Sequence, residues 1–179
     1  ISFVDAHVGR LLDALENSEY SENTIVVLWG DHGWHLGEKQ HWRKHALWDV
    51  TTKTTLIIAG PENVEEDQLC DRPVSLIDLY PTLLELCRLP LRDGLDGQSL
   101  VPLLQSPQQK WNRPVLMTYG YNNHAVQTDR WRYIQYNDGG QELYDHLLDP
   151  NEWTNLARVS KYRTVIQNLQ RLLPSDNEK

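Results

Sequence analysis

Residues 25–29, Ile-Val-Val-Leu-Trp, form an unbroken apolar run rich in β-branched side chains, and the run stops at Gly30. Residues 54–59, Thr-Thr-Leu-Ile-Ile-Ala, repeat the pattern and stop at Gly60. Short apolar runs bounded by turn residues predict strands buried on both faces, as in a parallel sheet. Between them lies a polar, aromatic, histidine-rich stretch from Asp31 to about Lys53. Connections of that length in compact domains are usually functional.

The flanks complete the architecture. Ile1, Val4, Val8, Leu11, Leu12 and Leu15 recur at helical spacing, so residues 1–16 read as an amphipathic helix. No capping residue with room for a turn precedes it. The helix reads as entered midway, and the chain as a fragment of something longer. Residues 75–88 predict a second helix, with Leu76, Leu79, Leu83, Leu84 and Leu86 near one face and Pro81 kinking or restarting it. From about Pro114 the period changes to two. Residues 115–121, 124–129, 131–137 and 142–145 alternate between turn-forming Asn, Asp-Gly-Gly and Asp-Pro clusters, which predicts an antiparallel sheet. Residues 160–173 close with an amphipathic helix. The expected fold is α/β over residues 1–105, followed by a small α+β subdomain over residues 106–179. Two short parallel strands cannot bury a doubly wound core alone, so most of the main sheet is expected outside this chain.

Composition excludes some functions. With 17 Lys and Arg against 25 Asp and Glu, the net charge is −8, which argues against a nucleic-acid partner. No apolar run approaches the roughly 20 residues of a membrane-spanning helix. The two cysteines, Cys70 and Cys87, cannot form a disulfide framework and fit no zinc spacing. Each reads as a small buried apolar side chain or a bystander, and a disulfide between them stays open.

The chemistry concentrates in residues 30–45. Four of the seven histidines (His32, His35, His41, His45) and three cations (Lys39, Arg43, Lys44) fall in this stretch of an acidic chain. Asp31 and His32 lie just past the carboxyl end of a strand, where open α/β sheets place ligand sites. A carboxylate beside an imidazole suits a divalent metal, and the following cations attract an anion such as phosphate or sulfate. Gly30 and Gly33 allow a sharp turn that aims both side chains at one point. The alternative is a solvated loop whose Asp31 caps a turn. Trp34, His35, His41 and His45 are candidates to line a substrate cleft, Trp34 by stacking on a sugar face, or else local packing residues. The run Arg130-Trp131-Arg132-Tyr133 reads as an amphipathic sheet edge, and Asp78 and Asp96 as turn and cap residues.

Five stretches together resemble the sulfatases of the alkaline phosphatase superfamily, and are most similar to the iduronate-2-sulfatase type. They are Asp31-His32-Gly33-x-x-Leu36-Gly37-Glu38 with Trp42-x-Lys44-x-x-Leu47-Trp48-Asp49; Val4-Asp5-x-x-Val8-Gly9-Arg10; Ser75-x-x-Asp78-x-x-Pro81-Thr82-x-Leu84; Leu95-Asp96-Gly97-x-Ser99-Leu100; and Glu142-Leu143-Tyr144-Asp145 with Asp149-Pro150-x-Glu152-x-x-Asn155-Leu156. The resemblance implies the C-terminal part of an alkaline-phosphatase-like doubly wound sheet. It implies calcium ligation by Asp31 and His32, and contact of Lys44 with the sulfate and the leaving-group oxygen. It implies a sulfated carbohydrate or other sulfate ester as substrate, with His124 on the C-terminal subdomain touching the sugar. The family's formylglycine nucleophile arises in a Cys/Ser-x-Pro-x-Arg motif, which neither Leu69-Cys70-Asp71-Arg72-Pro73 nor Leu86-Cys87-Arg88-Leu89-Pro90 matches. The nucleophile and the remaining metal ligands are therefore expected from an N-terminal part of the same enzyme, and this chain alone is expected to be inactive. A periplasmic or secreted origin follows from the same resemblance. Two alternatives remain: a phosphohydrolase or phosphoethanolamine transferase of the superfamily, with zinc in place of calcium, and a non-catalytic truncated module.

Overall fold

The computed structural model describes residues 1–60 and 68–175 of the 179-residue chain. The expected opening helix forms as α1 (Ser2–Glu16), but none of its residues is buried. A 3-10 turn, Ser21–Asn23, leads into β1 (Val26–Trp29). The chain then runs through a short hairpin, β2 (His35–Leu36) and β3 (Trp42–Arg43), and a single helical turn, α2 (Asp49–Thr52), before β4 (Leu56–Ala59).

β1 and β4 pair with each other, and they pair antiparallel, not parallel as expected. Trp29 stands opposite Leu56, and the Gly30 N–H donates to the Thr55 carbonyl at 3.1 Å. Residues 30–55 are therefore a long insertion at the tip of an antiparallel pair. An apolar run reports that a strand is apolar on both faces but carries no information about direction, which depends on where the connection returns. Nor are the strands buried on both faces: Leu28, Trp29 and Ile57 are exposed.

The second half matches its period-two pattern. β5 (Val115–Thr118), β6 (His124–Gln127), β7 (Trp131–Gln135) and β8 (Gln141–Asp145) form an antiparallel meander in chain order. Successive side chains on a strand point to opposite faces, and here both faces are covered. Val126, Tyr133 and Leu143 pack under Ile166 and Leu169 of α5 (Arg163–Gln170). Ala125, Ile134 and Tyr144 pack against Leu47, with Trp48 beside them. The histidine-rich insertion thus closes the second face of this sheet.

A third cluster joins Leu100 and Leu103, which flank and enter α4 (Val101–Gln105), to Trp111, with Leu56 and Val74 against it. The helix predicted over 75–88 begins as a 3-10 turn, Leu76–Asp78, and continues as α3 (Leu79–Leu86). Pro81 lies in the first turn of α3, where its missing N–H leaves no hydrogen bond unmade. Cys70 and Cys87 are both exposed and neither is in a disulfide, which corrects their reading as buried residues. No helix among the described residues is long and apolar enough to cross a membrane.

Candidate active site

Asp31 and His32 leave the open end of β1. The Gly33 N–H donates to the Thr51 carbonyl of α2 at 2.7 Å. A Cβ on Gly33 would stand 2.0 Å from the Val50 carbonyl oxygen, and one on Gly30 would stand 2.2 Å from Thr54 Oγ1. At Gly33 close approach to the backbone of the α2 segment, not a left-handed φ, demands glycine, whereas at Gly30 the neighbour is the Thr54 side chain. His32 Nδ1–H donates to the Gly33 carbonyl at 2.8 Å. That bond fixes the tautomer and leaves Nε2 with its lone pair outward. Nε2 lies 3.3 Å from Asp31 Oδ2, whose carboxylate is 84% exposed.

Lys44 reaches the same point from the far side of the β2–β3 hairpin. Its ammonium donates to His32 Nε2 at 2.9 Å. Lys39, Gln40, Arg43 and His45 all have positive φ between 54° and 74°. Each costs on the order of 1 kcal/mol, and such strain collects where a loop is held in a functional shape. Glu38 accepts the Leu36 N–H at 2.6 Å, which holds its carboxyl below the usual range. His41 Nε2–H donates to the Lys44 carbonyl at 3.0 Å and pins the backbone that carries the lysine.

The remaining histidine candidates separate. His35 is fully enclosed, its ring 4.9 Å from His41 and 5.6 Å from Trp48. Its Nδ1–H donates to the Glu38 carbonyl, and its Nε2 has no hydrogen-bond partner among the described residues. Burial, and secondarily His41, pushes its pKa down. His124 is buried on β6, with Nδ1 2.9 Å from Thr118 Oγ1. Both side chains are enclosed, which sets them apart from the exposed candidates. His45 is exposed, 5.4 Å from the ring of Tyr119 on the β5–β6 turn. Trp34 is exposed and stacks 6.2 Å from His32. A groove of about 1080 Å³ runs past Asp31, His32, Lys44, His45 and Tyr119.

Three residues anchor this loop: Arg132 and Glu152, neither a site candidate from the sequence, and Lys39, which the sequence offers as an anion-attracting cation and not as an anchor. Arg132 lies on β7, an interior strand, and is 1% exposed, so its run is not a sheet edge. Its Nε and Nη2 donate to the Leu47 carbonyl at 2.9 and 2.6 Å, and Nη2 donates to Thr52 Oγ1 at 2.6 Å. Glu152, also buried, accepts the Asp49 N–H at 2.9 Å, meets His146 Nε2 at 2.9 Å and faces Arg132 Nε at 3.3 Å. Lys39 donates to Tyr144 Oη at 3.1 Å and to the Glu152 carbonyl, and burial pushes its ammonium below its usual pKa. The sequence signal for Glu152 is the Asp149-Pro150-x-Glu152 run, whose turn the Asp149 carboxylate caps by accepting the Trp153 and Thr154 N–H groups.

Chemically, Asp31 and His32 offer a hard oxygen and an imidazole nitrogen of fixed tautomer, which fits two positions of a divalent-cation site. No group of three or more His, Cys, Asp or Glu gathers around one point among the described residues. An ammonium beside such a pair can neutralise charge on the oxygens of a bound anion.

Residues 37–179 match the family described as N-sulphoglucosamine sulphohydrolase, C-terminal. A protein of Formosa agariphila named "Sulfatase" is 49% identical over 177 residues, covering 99% of this chain and 35% of that protein. The solved structure of BT1596, a 2-O GAG sulfatase, superposes with a TM-score of 0.84 at 30% identity, covering 94% of this chain and 39% of that one. The structure of BT4656 in complex with its substrate D-glucosamine-2-N,6-O-disulfate superposes at 0.82 with 27% identity, over 95% of this chain and 37% of that one. The chain spans about a third of the length of the curated relatives it matches.

Proposed function

Because the chain belongs to the C-terminal family of the N-sulphoglucosamine sulphohydrolases, we propose that it forms the C-terminal part of a sulfatase, a sulfuric ester hydrolase acting on a sulfated saccharide. The observation that carries this reading is the meeting of Asp31, His32 and Lys44, with Lys44 Nζ 2.9 Å from His32 Nε2. In this proposal Asp31 and His32 hold a calcium ion, which when bound withdraws charge from the sulfate oxygens. Lys44 lies against the sulfate and the ester oxygen, where its ammonium stabilises negative charge developing as the S–O bond breaks. An N-terminal part of the same enzyme supplies the formylglycine nucleophile and the other metal ligands, so residues 1–179 alone do not turn over. A saccharide substrate is supported by the sulfated glucosamine of BT4656 and the glycosaminoglycan activity named for BT1596. Exposed Trp34, His45 and Tyr119 offer stacking surface for a sugar ring at the mouth of the site. A periplasmic or secreted location accords with such a substrate.

The test is made on the complete enzyme that carries this chain, with N- and O-sulfated glucosamine as substrates. Sulfate release is expected, calcium chelation should abolish it, and Lys44→Ala should lower kcat by about 10²–10³-fold. Zinc in the purified enzyme together with preferential cleavage of phosphate or phosphonate esters would overturn the reading in favour of a phosphohydrolase.

A further inference from the structure

The two halves of the candidate site approach from different directions and are joined by one helical turn. Gly33, next to His32, hangs on the Thr51 carbonyl of α2. Lys44 enters the same segment three residues ahead of Leu47. Four residues of helix are far too short to hold their own shape in water, so α2 takes its position from its partners. Those partners belong to the distant antiparallel sheet. Arg132 grips the Leu47 carbonyl and Thr52 Oγ1, at either end of the turn, and its Nη1 lies 3.5 Å from Asp49 Oδ1. Glu152 accepts the Asp49 N–H at the first residue of the turn, and its other carboxylate oxygen meets Arg132 and His146. The Glu152 carbonyl receives Lys39, from the hairpin that leads to Lys44. Glu152 holds φ at +58°, a conformation glutamate rarely adopts, so its turn spends strain to put both its carboxylate and its carbonyl on the loop.

We infer that Glu152 and Arg132 are positioning residues for the reaction: they clamp the 39–52 loop from the four-stranded sheet and so set the distance between Lys44 and the Asp31–His32 pair. Glu152 does not line the groove and Arg132 does, and both act on Lys44 through the loop they hold. The inference rests on the proposed role of Lys44, and an error of about 1 Å in placing such a group costs on the order of 10²-fold in rate.

The experiment is a double-mutant cycle on the complete enzyme, combining Glu152→Gln with Lys44→Ala and reading both kcat/KM for sulfate ester hydrolysis and the thermal midpoint. Glu152→Gln keeps the shape and the hydrogen bond but weakens the hold on Arg132. It is expected to lower kcat/KM about 10- to 100-fold when Lys44 is present and less than about twofold in the Lys44→Ala background, while the midpoint falls equally in both. Should Glu152→Gln fail to fold, Thr52→Val removes only the hydroxyl that accepts from Arg132 and should show the same pattern at a smaller size. If Lys44→Ala leaves hydrolysis unchanged, the functional reading falls and this inference with it. If Lys44→Ala is severe and the second penalty is additive to it, the clamp is structural only and this inference alone is overturned.

Discussion

Burial pushes the His35 imidazole below its usual pKa, and the neighbouring His41 adds to the effect. The folded state therefore favours the neutral ring. Above about pH 6.5 the ring is neutral in both states and costs nothing. As pH falls below that value the unfolded chain takes up the proton first, so stability drops towards the lower folded pKa, by up to about 1.4 kcal/mol per pH unit. The thermal midpoint is expected to fall between about pH 7 and pH 5, and His35→Gln should flatten that fall. An equally steep profile in the variant would place the acid sensitivity elsewhere. At this scale Asp31, His32 and Lys44 were legible because they follow a strand end within a few residues of one another. Arg132 and Glu152 were not, because the groups they hold lie 85 and 103 residues away along the chain. His35 and His124 were legible as histidines but not as enclosed ones. A sequence records a ring's chemistry and not the layers that close over it.

Elements meet through single buried groups, and Asp78 is one of them. It ends the 3-10 turn before α3, accepts the Ser75 and Gln98 N–H groups at 2.9 Å each, pairs with Arg113, and has no exposed surface. Asp96 has the same reading in the sequence, yet it is exposed and gives Arg113 only its backbone carbonyl, at 2.9 Å. The two acids should therefore respond differently. Asp78→Asn weakens three interactions around a buried site and should cost about 2 kcal/mol in chemical denaturation, a value reduced because Arg113 is partly solvated. Asp96→Asn should stay within about 0.5 kcal/mol of the parent. Equal effects would mean that the junction between α3 and the 95–99 loop does not depend on the Asp78 carboxylate. The strands of the meander were readable from short β-prone segments set off by Asn, Asp-Gly-Gly and Asp-Pro turns, which mark hairpins whatever covers the two faces. The direction of β1 against β4 was not, because direction is a property of the return path through residues 30–55.

Across the whole molecule, apolar side chains stay exposed on several elements, α1 and the β1–β4 pair among them. Leu28 stands opposite Ile57 in the β1–β4 pair, and both are exposed, as are Trp29 and the apolar residues Phe3, Val4, Leu11 and Leu12 of α1. Large apolar side chains left exposed in this number favour association. Residues 1–179 produced alone should self-associate at micromolar concentration, and the pair Leu28→Lys with Ile57→Glu should return them towards a monomer in sedimentation. A monodisperse, cooperatively melting parent would contradict this, and with it the need for the proposed N-terminal partner. By itself the sequence determined the helices, the four-stranded meander and the Asp31–His32–Lys44 constellation. The helices and strands depend on local periodicity, and the constellation on side-chain chemistry within a short span, which names its members but not their spacing. Only the tertiary structure decided the direction of the first strand pair, the enclosure of His35 and His124, and the hold of Arg132 and Glu152 on the loop. Each of those is fixed by which surfaces meet once the chain has closed on itself, and the free energy of that meeting belongs to pairs of residues far apart in the chain.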